Sequence, residues 1–200
     1  MKRVFKPIAF STVLIATVGL LGPGQAAWTA DTAASTKNTN STYHQDEVVQ
    51  QAENFFGKGA EGLAKAIAKV FKDHGEPNGF IKGQEGGGAI GVGVRYGKGV
   101  LQLHSGATRT VYWQGPSIGF DIGGNAAKVF VLIYNLKSAD ELFQRFPGVE
   151  GTLYFIGGVG VHYLRSGDVT LAPVQLGVGW RQGASVGYMH FTKTKSVNPF

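Results

Sequence analysis

Ser117 is the residue whose surroundings most resemble a catalytic motif. It lies in WQGPSIGFD, where GPSIG matches the G-x-S-x-G pattern around the nucleophilic serine of many hydrolases. Such a serine needs a sharp turn between a strand and a helix, with a histidine and an acid in reach. Asp121 and His190 follow in a suitable order, but no helix-forming run follows Ser117, and Pro116 favours extended backbone. In a chain with 31 glycines we interpret the match as coincidence and keep a cryptic envelope hydrolase using Ser117 as an alternative.

The remaining chemistry-bearing residues form no recognisable site. GGGAIG at residues 86–91 matches G-x-G-x-x-G, but it leads into a predicted strand, so no helix N-terminus would hold a pyrophosphate. The five histidines show no ligand spacing, and no pair of carboxylates stands out. The absence of cysteine excludes disulfides and thiolate metal sites. We therefore predict a protein that is not an enzyme and has neither a cofactor nor a metal.

The N-terminal residues are typical of a secretory signal peptide. Basic residues precede an apolar stretch at 8–21, and the small residues Gly24 and Ala26 suit a cleavage site. We predict a signal peptide over residues 1–26; a retained anchor helix is disfavoured because the stretch is shorter than the roughly 20 residues of a membrane span. The exported chain would keep 16 basic and 13 acidic residues. Its net charge of +3 is too small to indicate a nucleic-acid partner.

Residues 27–45 differ in composition from the rest of the exported chain. They are rich in Thr, Ser, Asn and Ala and have almost no large apolar residue, which is typical of a disordered tether. Asp46 is the predicted N-cap of a first helix that ends before Gly57. We expect residues 46–200 to form a single domain.

The segment AEGLAKAIAKVFKDHG has the clearest helical period in the chain. Its apolar and aromatic face comprises Ala60, Leu63, Ile67, Val70, Phe71 and His74. The opposite face carries Lys58, Lys65, Lys69 and Lys72. The first face is predicted to pack on a sheet. The lysines are either solvated or contact anionic lipid headgroups, and the second alternative makes them membrane-surface candidates.

From Phe80 onward the hydrophobic pattern has a period of two. It predicts about eight strands, near residues 80–84, 88–96, 99–105, 109–120, 127–136, 149–165, 168–181 and 184–194, and a short helix at SADELFQRF after Ser138. KVFVLIYNL is apolar on both faces, so it should lie between the sheet's own core and the covering helix. Alternating glycines in GVGVRYG and LGVGW allow tight coiling. We predict a small, strongly coiled antiparallel β-barrel with an N-terminal amphipathic helix packed on it.

Several long motifs resemble a known family. YWQGPSIGFDIGG, VLIYNLKSADELFQRFPGVEG, APVQLGVGWRQGASVGYMHFT and the final NPF are similar to the envelope integrity protein A family of bacterial periplasmic domains of unknown function. The resemblance covers Asp46 to Phe200. It implies a soluble periplasmic domain with a small β-barrel and a role in maintaining the Gram-negative envelope, and it brings no reaction or cofactor. More distantly, RYGKGVL and the strand-rich half are similar to SYLF-type lipid-binding domains, which favours a lipid ligand.

Sequence and resemblance together predict a non-enzymatic periplasmic protein that supports envelope integrity, with a lipid, acyl chain or other envelope component as its partner. The ligand-contact candidates are aromatic residues and two arginines that could meet a headgroup: Arg95, Tyr112, Trp113, Phe120, Tyr134, Trp180 and Arg181. Core packing is the alternative role of each. An outer-membrane β-barrel is a further alternative, because Phe200 is typical of the end of such proteins; Pro199 and the helix outside the sheet argue against it.

Overall fold

The computed structural model describes residues 41–57, 61–90, 92–118, 126–177 and 187–196. These residues belong to one compact unit, Thr39–Phe200. The predicted signal peptide and residues 27–40 of the predicted tether lie outside the described residues, and both stay predictions.

Two helices precede the sheet. α1 spans Gln45–Phe56 and α2 spans Glu61–His74. α1 ends where the sequence predicts, because Gly57 follows it with a φ of 111° that side chains rarely adopt. Its start differs from the prediction: the N-cap is His44 rather than Asp46, and the His44 backbone N–H donates to the Glu47 carboxylate at 2.9 Å.

The last residues of the predicted tether, 41–45, pack against the folded unit. The Tyr43 backbone N–H donates to the Pro77 carbonyl at 2.8 Å. The Tyr43 ring lies 5.0 Å from the Phe80 ring and 4.8 Å from the His104 ring, between centroids. The Thr42 hydroxyl donates to the Glu76 carboxylate at 2.7 Å. The chain is therefore ordered before the first helix begins.

The described strands are antiparallel and number ten. They are β1 Gly79–Ile90, β2 Val92–Leu103, β3 Thr108–Ile118, β4 Ala127–Tyr134, β5 Arg145–Pro147, β6 Tyr154–Ile156, β7 Val159–Val161, β8 Leu164–Ser166, β9 Val169–Leu176 and β10 Tyr188–Thr192. A single 3₁₀ turn, Ala139–Leu142, stands where SADELFQRF predicts a helix, and Ser138 is its N-cap.

The strands form one sheet that curls until its ends meet. The order is β5-β10-β3-β2-β1-β4-β9-β7-β6, and β8 pairs with β9 beyond β7. An isolated bridge joins Gly148, just after β5, to Leu164 at the start of β8. This contact brings β8 beside β5 and gives the coiled barrel that the sequence predicts.

Each face of the sheet has its own hydrophobic core. The inner core contains Ile81, Leu101, Trp113, Val131, Met189 and Phe191 among others. The outer core lies beneath the helices, where Leu63, Ile67 and Val70 of α2 meet Phe80, Phe130 and Leu132 of the sheet. β4 contributes alternate residues to the two cores, as its double apolar pattern predicts.

Two predictions about strand boundaries are wrong, because glycine continues a strand in the first case and turns the chain in the second. β1 continues through GQEGGG, so the predicted segments 80–84, 88–96 and 99–105 are two long strands instead of three. Glu85 lies within β1 and is 1% exposed, which the local polarity did not indicate. Conversely, the predicted strand 149–165 is three short strands, because Gly157 and Gly158 have positive φ and turn the chain.

Candidate functional site

A polar row crosses the outer face of the sheet beside the end of α1. The strand register places Lys128 of β4 opposite Gln84 of β1, Gln84 opposite Lys98 of β2, and Lys98 opposite Tyr112 of β3. Side chains on neighbouring strands in register share one face, so these four residues form a continuous line. The neighbouring outer positions Lys82 and Val100 are paired in the same way.

A groove of about 580 Å³ lies over this row. It is lined by Phe55, Lys82, Gly83, Gln84, Glu85, Gly86, Tyr96, Gly97, Lys98, Gly99, Val100, Tyr112, Trp113, Gln114, Ala126, Lys195 and Ser196. The volume lies in the range of pockets that hold small molecules. Val100 is a large apolar side chain that is 48% exposed here, so the groove offers apolar surface to an occupant.

Phe55 is fixed as one wall of the groove by Lys128. The Lys128 ammonium donates to the Phe55 carbonyl oxygen at 2.7 Å and lies 5.4 Å from the centroid of its ring. Tyr112, half-buried, forms part of the lining, and the Lys98 ammonium lies 5.7 Å from its ring centroid. Both contacts are cation–π pairs that position an aromatic surface beside a charge.

The charges in the described groove lining are unbalanced in favour of cations. Lys82, Lys98 and Lys195 contribute ammonium groups, and Lys82 donates to Gln51 Oε1 at 2.6 Å. Burial lowers the pKa of Lys82. Glu85 is the acidic residue of the described lining, but its carboxylate is directed into the barrel, where Trp113 and Gln175 bind it. Such a groove attracts anions.

Glycine allows the Trp113 indole to lie flat against β1 and β2 on the inner face. A Cβ added at Gly97 would lie 2.0 Å from Trp113 Cε2, and one at Gly83 would lie 2.5 Å from Trp113 Cη2. Trp113 is 1% exposed, so its ring fills the barrel while the glycine backbone lines the groove on the other side. The backbone of β1 and β2 alone therefore separates the inner core from the groove.

The predicted ligand-contact residues are not gathered in one place. Tyr112 and Trp113 both line the groove, although the Trp113 ring is buried inward. Arg95 is 1% exposed and belongs to the inner face of β2. Tyr134 lies beneath α2, 5.5 Å from the His74 ring, and burial raises the pKa of its hydroxyl. Phe120, Trp180 and Arg181 lie outside the described residues.

The lysines of α2 lie on its exposed side. Lys65, Lys69 and Lys72 are exposed, and Lys58 lies outside the described residues. Lys69 donates to the Asp73 carboxylate at 2.7 Å and lies 4.8 Å from the Tyr154 ring centroid. Hydrogen bonds from Lys69 and Tyr163 hold the pKa of Asp73 below its usual value. Part of the predicted positive face is therefore neutralised locally.

Ser117 does not occupy a nucleophile elbow. Its backbone lies inside β3, paired with Gly93 of β2, whereas the motif requires a turn into a helix. His190 of β10 pairs with Gln114, three residues away along β3. Asp121 lies outside the described residues. In the part of the chain that the structure describes, no group of three or more His, Asp or Glu could hold a metal ion.

Sequence reasoning missed Phe55, Lys82, Tyr96, Lys98 and Lys195 as groove residues. The available signal was the polar alternation in IKGQ, RYGKG and VYWQ, because lysine, tyrosine and glutamine occupy every second position there. The register between strands was needed to show that these positions share one face. Among the described helices, none is long and apolar enough to cross a membrane.

Comparison with known proteins agrees with the fold. The family model of envelope integrity protein A matches residues 41–200. The crystal structure of a beta-barrel-like, uncharacterized protein from Brucella abortus is 40% identical in sequence and has a TM-score of 0.74. The match covers 80% of this chain and 99% of that one. No curated protein matches. The chain therefore belongs to the envelope integrity protein A family.

Proposed function

We propose that this protein is a non-enzymatic periplasmic component of the cell envelope and that its groove holds an anionic lipid with a single acyl chain. The observation that carries the proposal is the groove itself. Phe55, Tyr112 and the exposed Val100 offer apolar and aromatic surface, while Lys82, Lys98 and Lys195 offer positive charge in the same space. A molecule with an apolar chain and an anionic head matches both features.

The distribution of charge favours this ligand over an uncharged one. Within the described lining the single carboxylate, that of Glu85, accepts hydrogen bonds from Trp113 Nε1 and Gln175 Nε2 inside the barrel. It forms no ion pair with the lysines of the described lining. An anionic headgroup would accept charge-assisted hydrogen bonds from them, and such bonds are stronger than neutral ones.

The sheet also argues against the outer-membrane alternative. A transmembrane barrel needs an apolar band on its outward face. Here the outward row contains Lys128, Gln84 and Lys98. The outward apolar side chains Phe80, Phe130 and Leu132 are covered by the helices instead of forming a band around the barrel. This pattern supports a domain that works in water beside the membrane. Residues 1–26 would deliver it there as a signal peptide.

A binding titration tests the ligand class. We expect the mature protein to bind a fluorescent palmitate analogue and lysophosphatidylglycerol, and to bind the uncharged monopalmitoylglycerol at least tenfold more weakly. Lys98→Glu combined with Lys195→Glu should weaken binding of the anionic ligands by tenfold or more, which corresponds to about 1.4 kcal/mol. Lys137→Glu, an exposed lysine outside the groove, is the matched control.

The same variants test the envelope role. In a deletion strain, the wild type and Lys137→Glu should restore resistance to detergent, and the double groove variant should not, although it melts like the wild type. Equal binding of palmitate by the double variant would refute the groove as the lipid site. Full rescue by that variant would separate the envelope role from the groove.

A further inference from the structure

The barrel interior contains a buried guanidinium with few partners among the described residues. Arg95 is 1% exposed and lies on the inner face of β2, in register with Gly87 of β1 and Gly115 of β3. Its Nη2 donates to the Tyr188 carbonyl oxygen over a long distance of 3.4 Å. Its Nε is also buried and has no hydrogen-bond partner among the described residues. Burial of a cation with so little compensation carries a large free-energy cost.

The acid nearest in register along the inner face forms no ion pair with this guanidinium. Glu85 lies on the inner face of β1, opposite Gly97, and each of its oxygens already accepts a hydrogen bond. Trp113 Nε1 donates to Oε2 at 3.0 Å, and Gln175 Nε2 donates to Oε1 at 2.5 Å. Among the described residues, no carboxylate forms an ion pair with Arg95.

His162 carries a second buried nitrogen, and the charge of Arg95 acts on it. Its Nε2 is buried and has no hydrogen-bond partner among the described residues, although part of the residue reaches the surface. Burial lowers the pKa of His162 to about 3, and the charge of Arg95 contributes to the lowering. The imidazole is therefore neutral at physiological pH and can donate from one ring nitrogen.

We infer that the barrel interior binds a small oxyanion at Arg95, a carboxylate or phosphate group that accepts from Arg95 Nε and lies next to His162. Guanidinium is the side-chain group that best matches the geometry of both oxyanions. The bound group would supply the direct hydrogen-bond partner that Arg95 Nε lacks among the described residues. This site is distinct from the groove, since Arg95 and the groove residue Tyr96 are adjacent in β2 and belong to opposite faces of the sheet.

Thermal unfolding of the mature protein tests the site. Phosphate and acetate are titrated at constant ionic strength against chloride, and lysophosphatidylglycerol is the third arm. At a concentration tenfold above its dissociation constant, the oxyanion that binds should raise the Tm by about 3–6 °C. The arm whose rise is lost in Arg95→Met identifies the source of the group, because lysophosphatidylglycerol bound in the groove would still raise the Tm of that variant. The groove variant Lys98→Glu should retain the rise, which separates this inference from the proposed function.

Variants of Arg95 and a measurement on the wild type complete the test. Arg95→Met should lose the rise, and Arg95→Lys should retain part of it, while Arg165→Met, at an exposed arginine that donates to the Gly167 carbonyl, should behave like the wild type. If Arg95→Met does not fold, the NMR resonances of the His162 ring in the wild type test whether the oxyanion binds. They should shift on oxyanion addition. A wild type with no oxyanion-specific Tm rise and no His162 shift would overturn the inference.

Discussion

Trp113 Nε1 donates a hydrogen bond of 3.0 Å to Glu85 Oε2 inside the barrel, across 28 residues of sequence. Both residues are 1% exposed, so the bond joins a buried carboxylate to the largest buried side chain. Gln175 completes the carboxylate's coordination from β9. A buried charge is tolerated only when hydrogen bonds replace the water it has lost. The Trp113 indole therefore fixes the packing of the inner core. The glycine backbone against which it packs lines the groove on the other face of the sheet.

The indole requires glycine at position 97. Gly97→Ala would place a Cβ 2.0 Å from Trp113 Cε2, so the ring or the strand must move. We expect a loss of about 2–3 kcal/mol in the free energy of unfolding, measured by urea denaturation. Gly86→Ala is the matched control, because no heavy atom lies within 4 Å of the added Cβ. Equal stability of the two variants would contradict the close packing of the Trp113 ring against Gly97.

The helix face and the barrel class could be predicted from sequence because both follow from local periodicity. Leu63, Ile67 and Val70 recur at the helical period, and all three are fully buried on the sheet. The groove could not be predicted in this way. Lys98 and Tyr112 face each other because of the register between β2 and β3, and the Glu85–Trp113 bond depends on the same register. Residues far apart in sequence become neighbours only after the strands pair.

The boundary of the predicted tether can be tested by truncation. Deleting residues 27–40 should leave the Tm of the mature protein within about 2 °C of the full-length value, because a segment of that composition contributes few packed contacts. Deleting residues 27–45 should lower it by about 4–8 °C, since Tyr43 stacks on Phe80 and His44 caps α1. Equal melting of the two truncations would contradict the observed docking of residues 41–45.

Stability should fall with acid because of His162. Its folded pKa of about 3 lies below the unfolded value of about 6.5, so the unfolded state binds a proton first as the pH falls. This contribution to stability is complete above pH 6.5 and is lost progressively toward pH 3. Between pH 7 and pH 4.5 it amounts to roughly 2–3 kcal/mol.

The comparison of wild type with His162→Gln isolates this contribution. His74 and His190 act in the same direction, because burial lowers the pKa of each. Urea unfolding at several pH values should therefore show a shallower decline for His162→Gln than for the wild type, not a flat profile. Identical pH profiles would mean that the His162 imidazole is not buried in the folded protein.

The lysines of α2 are tested separately from those of the groove. Near an anionic membrane each free lysine contributes about 1 kcal/mol. Changing Lys65, Lys69 and Lys72 to Glu should abolish sedimentation with phosphatidylglycerol or cardiolipin vesicles at low salt. Lys69→Glu alone should have the smallest effect, because Lys69 already pairs with Asp73 at 2.7 Å. Added salt should weaken wild-type binding in parallel.

Lys137→Glu is the matched control for the vesicle experiment, being exposed and distant in sequence from α2. It should sediment like the wild type. If the wild type does not sediment with anionic vesicles at low salt, a membrane-contact role for α2 is refuted. The proposal of a lipid in the groove does not depend on this result.

Native mass spectrometry of the protein released gently from the periplasm tests the central claim most directly. The groove combines Val100 and Phe55 with Lys98 and Lys195, so the wild type should carry an adduct with the mass of an anionic single-chain lipid. The Lys137→Glu control should carry the same adduct, and Lys98→Glu combined with Lys195→Glu should be recovered without it. A wild type that is recovered only at its bare mass, or a double groove variant that retains the full adduct, would contradict the account.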